Sequence, residues 1–170
     1  MAKENVLVAG GAGYLGSILV PTLLDKGYKV TALDSLMHNQ HSLSECCSNS
    51  DFNFVKGDIC DEQLMSSLVP KFDIVIMLAA IVGAPACKVN PSLTQLVNYD
   101  APVAMIKMLS PAQKAIFPTT NSGYGIGEKD KLCTEESPLR PLSEYGKHKV
   151  ALEKAFLDVG NAITFRLATV

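Results

Sequence analysis

The chain has 170 residues, 48% of them hydrophobic, with 15 basic and 17 acidic side chains and a net charge of −2. A chain of this length buries roughly 70% of its unfolded surface, which suits one compact domain. The evenly spread charge excludes a basic stripe for nucleic acid and a polybasic membrane anchor, and the longest apolar stretch, Ile74 to Ala86, is too short and too broken by Gly83 and Pro85 to cross a bilayer.

The first predicted strand, residues 5–9, begins with no long apolar leader before it, so a soluble cytoplasmic protein is expected. A glycine-rich turn leads into a predicted helix at 14–26, with Pro21 inside it and Gly27 as its stop. A strand at 29–33 ends at Asp34. The polar loop that follows carries His38, His41, Cys46 and Cys47, at spacings that match no zinc pattern, and no metal is expected. Five cysteines without a CxxC predict reduced thiols and no disulfide framework. Next come a strand at 52–56, a helix at 62–68 with Asp61 as its cap, a strand at 74–78 and a helix at 92–109. A strand at 115–118, a long polar loop at 125–144, a helix at 144–159 and a strand at 162–167 complete the chain. Strands alternating with helices predict an α/β, doubly wound parallel sheet covered on both faces. The last strand pattern runs to the end of the sequence, and a further segment is expected after Val170.

Between strand and helix, Gly10, Gly13 and Gly16 form GxxGxxG, and Gly11, Gly13 and Gly16 form GxGxxG. Both spacings suit a dinucleotide, whose pyrophosphate must approach bare backbone N–H groups where the helix dipole favours anions. A tight turn with close helix–sheet packing is the alternative. Eighteen residues after Gly16, Asp34 is placed to accept from the adenosine ribose hydroxyls and to repel a 2′-phosphate, which points to NAD over NADP. Asp58, in "GDICD", could meet the adenine amino group. For both aspartates an ordinary turn residue is the other reading.

Tyr145 and Lys149 stand at i,i+4 on the predicted helix 144–159, so both can project from one face. A lysine ammonium and a nicotinamide cation near a phenol would lower its pKa from about 10 toward neutrality, fitting it for acid–base work. An exposed aromatic–cation pair is the alternative, and His148 reads as surface. The strand end "AIFPTTNSGYG" offers Thr119, Thr120 and Ser122 as hydroxyls to hold a substrate oxygen.

"AGGAGYLG", Asp34, "GDICD", "MLAA", "TTNSGYG" and "SEYGKHK" occur in the order found in the extended short-chain dehydrogenase/reductase family, and the chain resembles its NAD-dependent nucleotide-sugar epimerase/dehydratase branch along its whole length. The resemblance implies a Rossmann domain, residues 1–170, with the family's C-terminal substrate domain missing from this chain. It implies Thr120 as the catalytic hydroxyl, Tyr145 as acid–base, and Lys149 as the residue that binds the nicotinamide ribose and lowers the tyrosine pKa. It further implies NAD contacts from Gly10, Gly13, Tyr14, Leu15, Gly16, Asp34, Asp58, Ile59, Leu78, Ala79 and Ala80, and from Asn98 beside the nicotinamide half. The implied substrate is a nucleoside-diphosphate sugar, with a homodimer in the full-length protein. Two departures stand out. Asn121 and Ser122 follow Thr120 where sugar 4,6-dehydratases usually carry an acidic pair, and "MLAA" replaces a commoner form that starts with histidine. An epimerase is therefore expected, ahead of a dehydratase or a reductase/dehydrogenase; a non-catalytic NAD sensor or scaffold is the reading from another class. Little turnover is expected of these 170 residues alone.

Overall fold

The structure, a computed structural model, describes residues 3–127 and 131–168. Its strands are β1 (Asn5–Ala9), β2 (Lys29–Asp34), β3 (Phe52–Lys56), β4 (Ile74–Met77), β5 (Lys114–Thr120) and β6 (Ala162–Leu167). Its helices are α1 (Gly16–Asp25), α2 (Glu62–Leu68), α3 (Ala84–Val89), α4 (Pro91–Gln95), α5 (Ala101–Ile106) and α6 (Glu144–Asp158). All six strands pair in parallel, in the order β3-β2-β1-β4-β5-β6.

Parallel strands are buried on both faces, and their successive side chains serve opposite layers. Leu7, Ala9, Leu33, Val75, Met77, Ala115 and Phe117 face the layer of Met65, Met105, Leu152 and Phe156. Val6, Val8, Val30, Ala32 and Ile76 face Val20 and Leu24 of α1. Phe117 and Phe156 stack with ring centroids 4.8 Å apart and fasten α6 to β5; burying each ring contributes about 1.5–3 kcal/mol.

The helix ends follow from local chemistry. Asp61 caps α2 by accepting from the Leu64 N–H, Asn90 caps α4 through Leu93, and Ser143 caps α6 through Gly146. Gly27, at φ +87°, closes α1 as predicted. Pro21 lies within α1.

Three differences from the sequence reading matter. The predicted helix at 92–109 is divided by a π turn, Leu96–Asp100, between α4 and α5. Pro102 lacks the N–H that would bond the Asn98 carbonyl, and its ring would press on that carbonyl; a widened turn accommodates it. Second, the end of the broken apolar run begins α3, which starts after Gly83 (φ +88°) with Pro85 in its first turn and continues to Val89. Third, β5 runs on through Thr119 and Thr120, which pair with Arg166 and Leu167 of β6. Among the described residues no helix is long and apolar enough to cross a membrane.

Candidate active site

α1 covers one face of the sheet after β1, and α5 follows β4 on the other, so the topological switch point, beyond whose carboxyl ends ligands of open α/β sheets bind, lies between these neighbouring strands. The Gly10–Gly16 turn follows β1 at this point. Gly10 has φ +80°, and a Cβ there would lie 2.5 Å from the Ala79 nitrogen; at Gly16 it would lie 2.1 Å from the Gly11 carbonyl oxygen. These two are required by the chain's own packing. Gly13 differs: its one close neighbour would be the Gly10 carbonyl oxygen, at 3.2 Å. Gly10 N and Gly11 N donate to Leu33 O, Ala12 N to Asp34 and Gly13 N to Gly10 O, and α1 begins without a side-chain cap. Among the described residues nothing accepts from the N–H groups of Tyr14, Leu15 and Gly16. Donors left free at a helix start fit a pyrophosphate.

Asp34 is buried at 8% exposure, and its carboxylate braces the turn. It accepts from Ala12 N at 3.0 Å, Leu36 N at 2.8 Å and Gln40 Nε2 at 3.3 Å. Asp58 is exposed beyond β3 and accepts from Cys60 N, while the Ile59 side chain belongs to the core. Leu78 and Ala79 both donate to the Ala9 carbonyl, which sets the segment after β4 against the glycine turn, with Ala80 next along it.

Asn98, in the π turn, is spent inside the protein. Its Oδ1 accepts from Ile81 N at 2.8 Å, and its Nδ2 donates to Ile81 O at 2.9 Å and to Cys87 Sγ at 3.8 Å. Its work is therefore to order the loop after Ala80. Asn98→Ala leaves two half-buried backbone groups of Ile81 without their partner and is expected to cost about 1–3 kcal/mol, read as a lower denaturant midpoint at unchanged slope.

Tyr145 and Lys149 share one face of α6, with Lys149 Nζ 5.9 Å from the tyrosine ring centroid. Lys149, 6% exposed, donates to Pro118 O at 3.2 Å and lies 4.4 Å from the centre of the Phe117 ring. Burial brings its pKa down to about 8, against a smaller upward pull from the Cys87 thiol. Burial pushes the Tyr145 phenol upward, and the same thiol adds to that. In the chain alone burial therefore governs the phenol, while the Lys149 ammonium is turned toward Pro118 and Phe117.

Thr120 ends β5, half-buried, and its Oγ1 accepts from Ser122 N, which closes a short turn, Asn121–Tyr124. Thr119 is enclosed. The turn packs tightly on α6: a Cβ at Gly123 would lie 2.9 Å from Val150 Cγ2, and one at Gly146 would lie 3.3 Å from Ser122 O. Thr120 and Tyr145 thus belong to abutting elements. A cleft of about 570 Å³ opens at Tyr145, walled by Cys87, Thr94, Gln95, Ser143 and His148. His148 is not the surface residue its sequence context predicts; it is half-buried beside Tyr99, and its Nδ1 is enclosed without a partner among the described residues. Cys87, likewise missed, reaches Tyr145 only through the packing of α3 on α6. Among the described residues no group of three His, Cys, Asp or Glu could hold a metal ion.

Six parallel strands in this order, with a glycine turn opening α1 at the switch point, define a Rossmann-type dinucleotide fold. The sequence model of the NAD dependent epimerase/dehydratase family matches residues 6–170, and the chain belongs to that family. A UDP-glucose 4-epimerase of Halalkalibacterium halodurans is 34% identical over 161 residues, 89% of this chain and 45% of its own length. A human dTDP-D-glucose 4,6-dehydratase is 30% identical over 158 residues, 88% of this chain and 45% of its own length. The Thermus thermophilus UDP-glucose 4-epimerase in complex with NAD has the same fold, with TM-score 0.83 and 26% identity over 95% of this chain and 54% of that one. The chain spans about half the length of the curated relatives it matches.

Proposed function

We propose that these 170 residues are the NAD-binding half of a nucleotide-sugar epimerase, whose other half supplies the sugar-binding domain. The observation that carries the reading is the tight packing of the Thr120 turn against the helix of Tyr145 and Lys149, beyond the same strand ends as the uncapped start of α1. Half-length matches to UDP-glucose 4-epimerases support it. The free N–H groups of residues 14–16 would hold the pyrophosphate, with Gly10 keeping the turn tight and Gly13 leaving room for its approach, Asp34 would hold the adenosine ribose and Lys149 the nicotinamide ribose.

Bound NAD supplies a reversible hydride acceptor. Tyr145 takes the proton of the sugar C4 hydroxyl, which Thr120 holds through a hydrogen bond. The same phenol returns a proton when the ketone is reduced on its opposite face, so no net oxidation results. Dehydration is disfavoured, since Asn121 and Ser122 offer no carboxylate beside Thr120. A homodimer belongs to this proposal for the full-length protein.

Calorimetric titration of the chain is expected to give NAD an affinity at least about tenfold above NADP, from repulsion of a 2′-phosphate by Asp34. Equal affinities would remove the role given to Asp34, and no binding of either would defeat the proposal. The full-length protein is expected to convert UDP-glucose to its C4 epimer without accumulating NADH. Steady NADH release would identify a dehydrogenase instead.

A further inference from the structure

One guanidinium ties together four parts of the wall around this site. Arg166 of β6 donates from Nε at 2.9 Å and from Nη2 at 2.7 Å to a single oxygen, Oε1 of Glu153 on α6. Its Nη1 donates to the Tyr124 hydroxyl at 3.2 Å and to the Glu135 carbonyl at 3.0 Å. Tyr124 ends the turn that begins after Thr120. Glu153 lies one turn beyond Lys149 and two beyond Tyr145 along α6. The segment after Glu135 returns to the same turn, where Arg140 N donates to Gly123 O at 2.9 Å.

The pair is a poor device for stability alone. Both side chains are largely buried, at 15% and 5% exposure, and Glu153 Oε2 is enclosed with no partner among the described residues. Desolvation of such a pair offsets most of its attraction, and apolar replacements of similar volume are often neutral or stabilising. Direction is what the pair adds. A planar guanidinium addresses three acceptors on three elements at once, which a lysine ammonium on a flexible stem does not reproduce. The contacts at Gly123 and Gly146 leave no slack between the turn and α6, so a shift of the turn changes where the Thr120 hydroxyl stands relative to Tyr145.

We propose that Arg166 and Glu153 are positioning residues, which lock the Thr120–Tyr124 turn against the Tyr145 helix and so set the geometry of proton transfer. The proposal rests on the acid–base reading of Thr120 and Tyr145 given above.

Two variants test it, the apolar double replacement Arg166→Met with Glu153→Leu, and the conservative Arg166→Lys, which stands in should the first fail to fold. In both, amide hydrogen exchange at Ser122 and Arg140 of the 170-residue chain is expected to rise about tenfold or more, with α1 and β1 unchanged. NAD affinity stays within about threefold, because the glycine turn lies elsewhere. In the full-length protein with UDP-glucose, kcat falls about tenfold to a hundredfold while KM stays within about threefold, the signature of misplacement and not of lost binding. A merely structural pair predicts that any variant that folds and binds NAD also keeps its kcat. Unchanged exchange at Ser122 and Arg140, or unchanged kcat in a variant with raised exchange, overturns the proposal. If the wild-type protein binds NAD but does not epimerise, the function proposed above fails, and the exchange rates still decide whether the pair locks the turn.

Discussion

Tyr145→Phe is expected to lower kcat of the full-length protein by about 10²- to 10⁴-fold, the usual contribution of a positioned acid–base group, with NAD affinity within about threefold of wild type. Phenylalanine keeps the ring that lines the cleft and removes only the hydroxyl, so loss of packing does not confuse the result. The pH profile should identify the group. In the chain alone burial, together with the Cys87 thiol, raises the phenol, which therefore stays protonated at neutral pH. Oxidation of a sugar hydroxyl needs the phenolate, so the wild-type rate rises with pH until Tyr145 has titrated in the loaded enzyme. The cationic nicotinamide ring is the group left to bring that titration down, since Lys149 faces Pro118 and Phe117. The phenylalanine variant should lose this limb of the profile. Turnover within threefold of wild type would remove Tyr145 from the chemistry.

The elements that could be read from the sequence are those whose signals are local. β1, β3 and β6 match the predicted ranges to the residue, because each is a short β-branched or aromatic run between turn signals. Asp61 and Gly27 act where short-range capping rules put them. What escaped depends on distant partners. Thr119 and Thr120 look like loop residues alone, and become strand only by pairing with Arg166 and Leu167. The π turn hardly disturbs a helical apolar pattern, and Pro102 was its one sign.

The candidate site divides in the same way. Residue types and spacings pointed to Gly10, Gly13, Asp34, Tyr145 and Lys149, the family resemblance singled out Thr120, and these lie at or beside the strand ends, the glycine turn or α6. Their charge states were not legible, because desolvation is set by how β5 and α6 close over Lys149. Nor was the use made of Asn98, whose amide is absorbed by Ile81. Arg166 and Glu153 are two ordinary charges in the sequence, and only their burial against each other makes them notable.

Lys149→Met is expected to stabilise the unliganded chain by on the order of 3 kcal/mol at pH 7 while weakening NAD binding about tenfold or more. The lysine sits at 6% exposure with one carbonyl and two aromatic rings beside it, and its pKa falls from 10.5 to about 8 through burial. Between these values the unfolded chain holds a proton that the folded chain has released, so this group makes stability rise with pH across that window. Below about pH 8 both states are charged, and the full cost of burying the ammonium weighs on the fold. Methionine fills similar volume without charge, so the cost and its slope both vanish. Cys60, pushed up to about 12 by burial, makes stability fall at high pH in both chains, so the quantity to measure is the difference between variant and wild type at each pH. Urea denaturation at pH 7, 8 and 10 should show that difference largest at pH 7 and shrinking by pH 10. In the function proposed above, the nicotinamide ribose is the ligand that would offset the burial of this ammonium. A variant no more stable than wild type at pH 7, or one that binds NAD as tightly, would show that the lysine is held for packing alone.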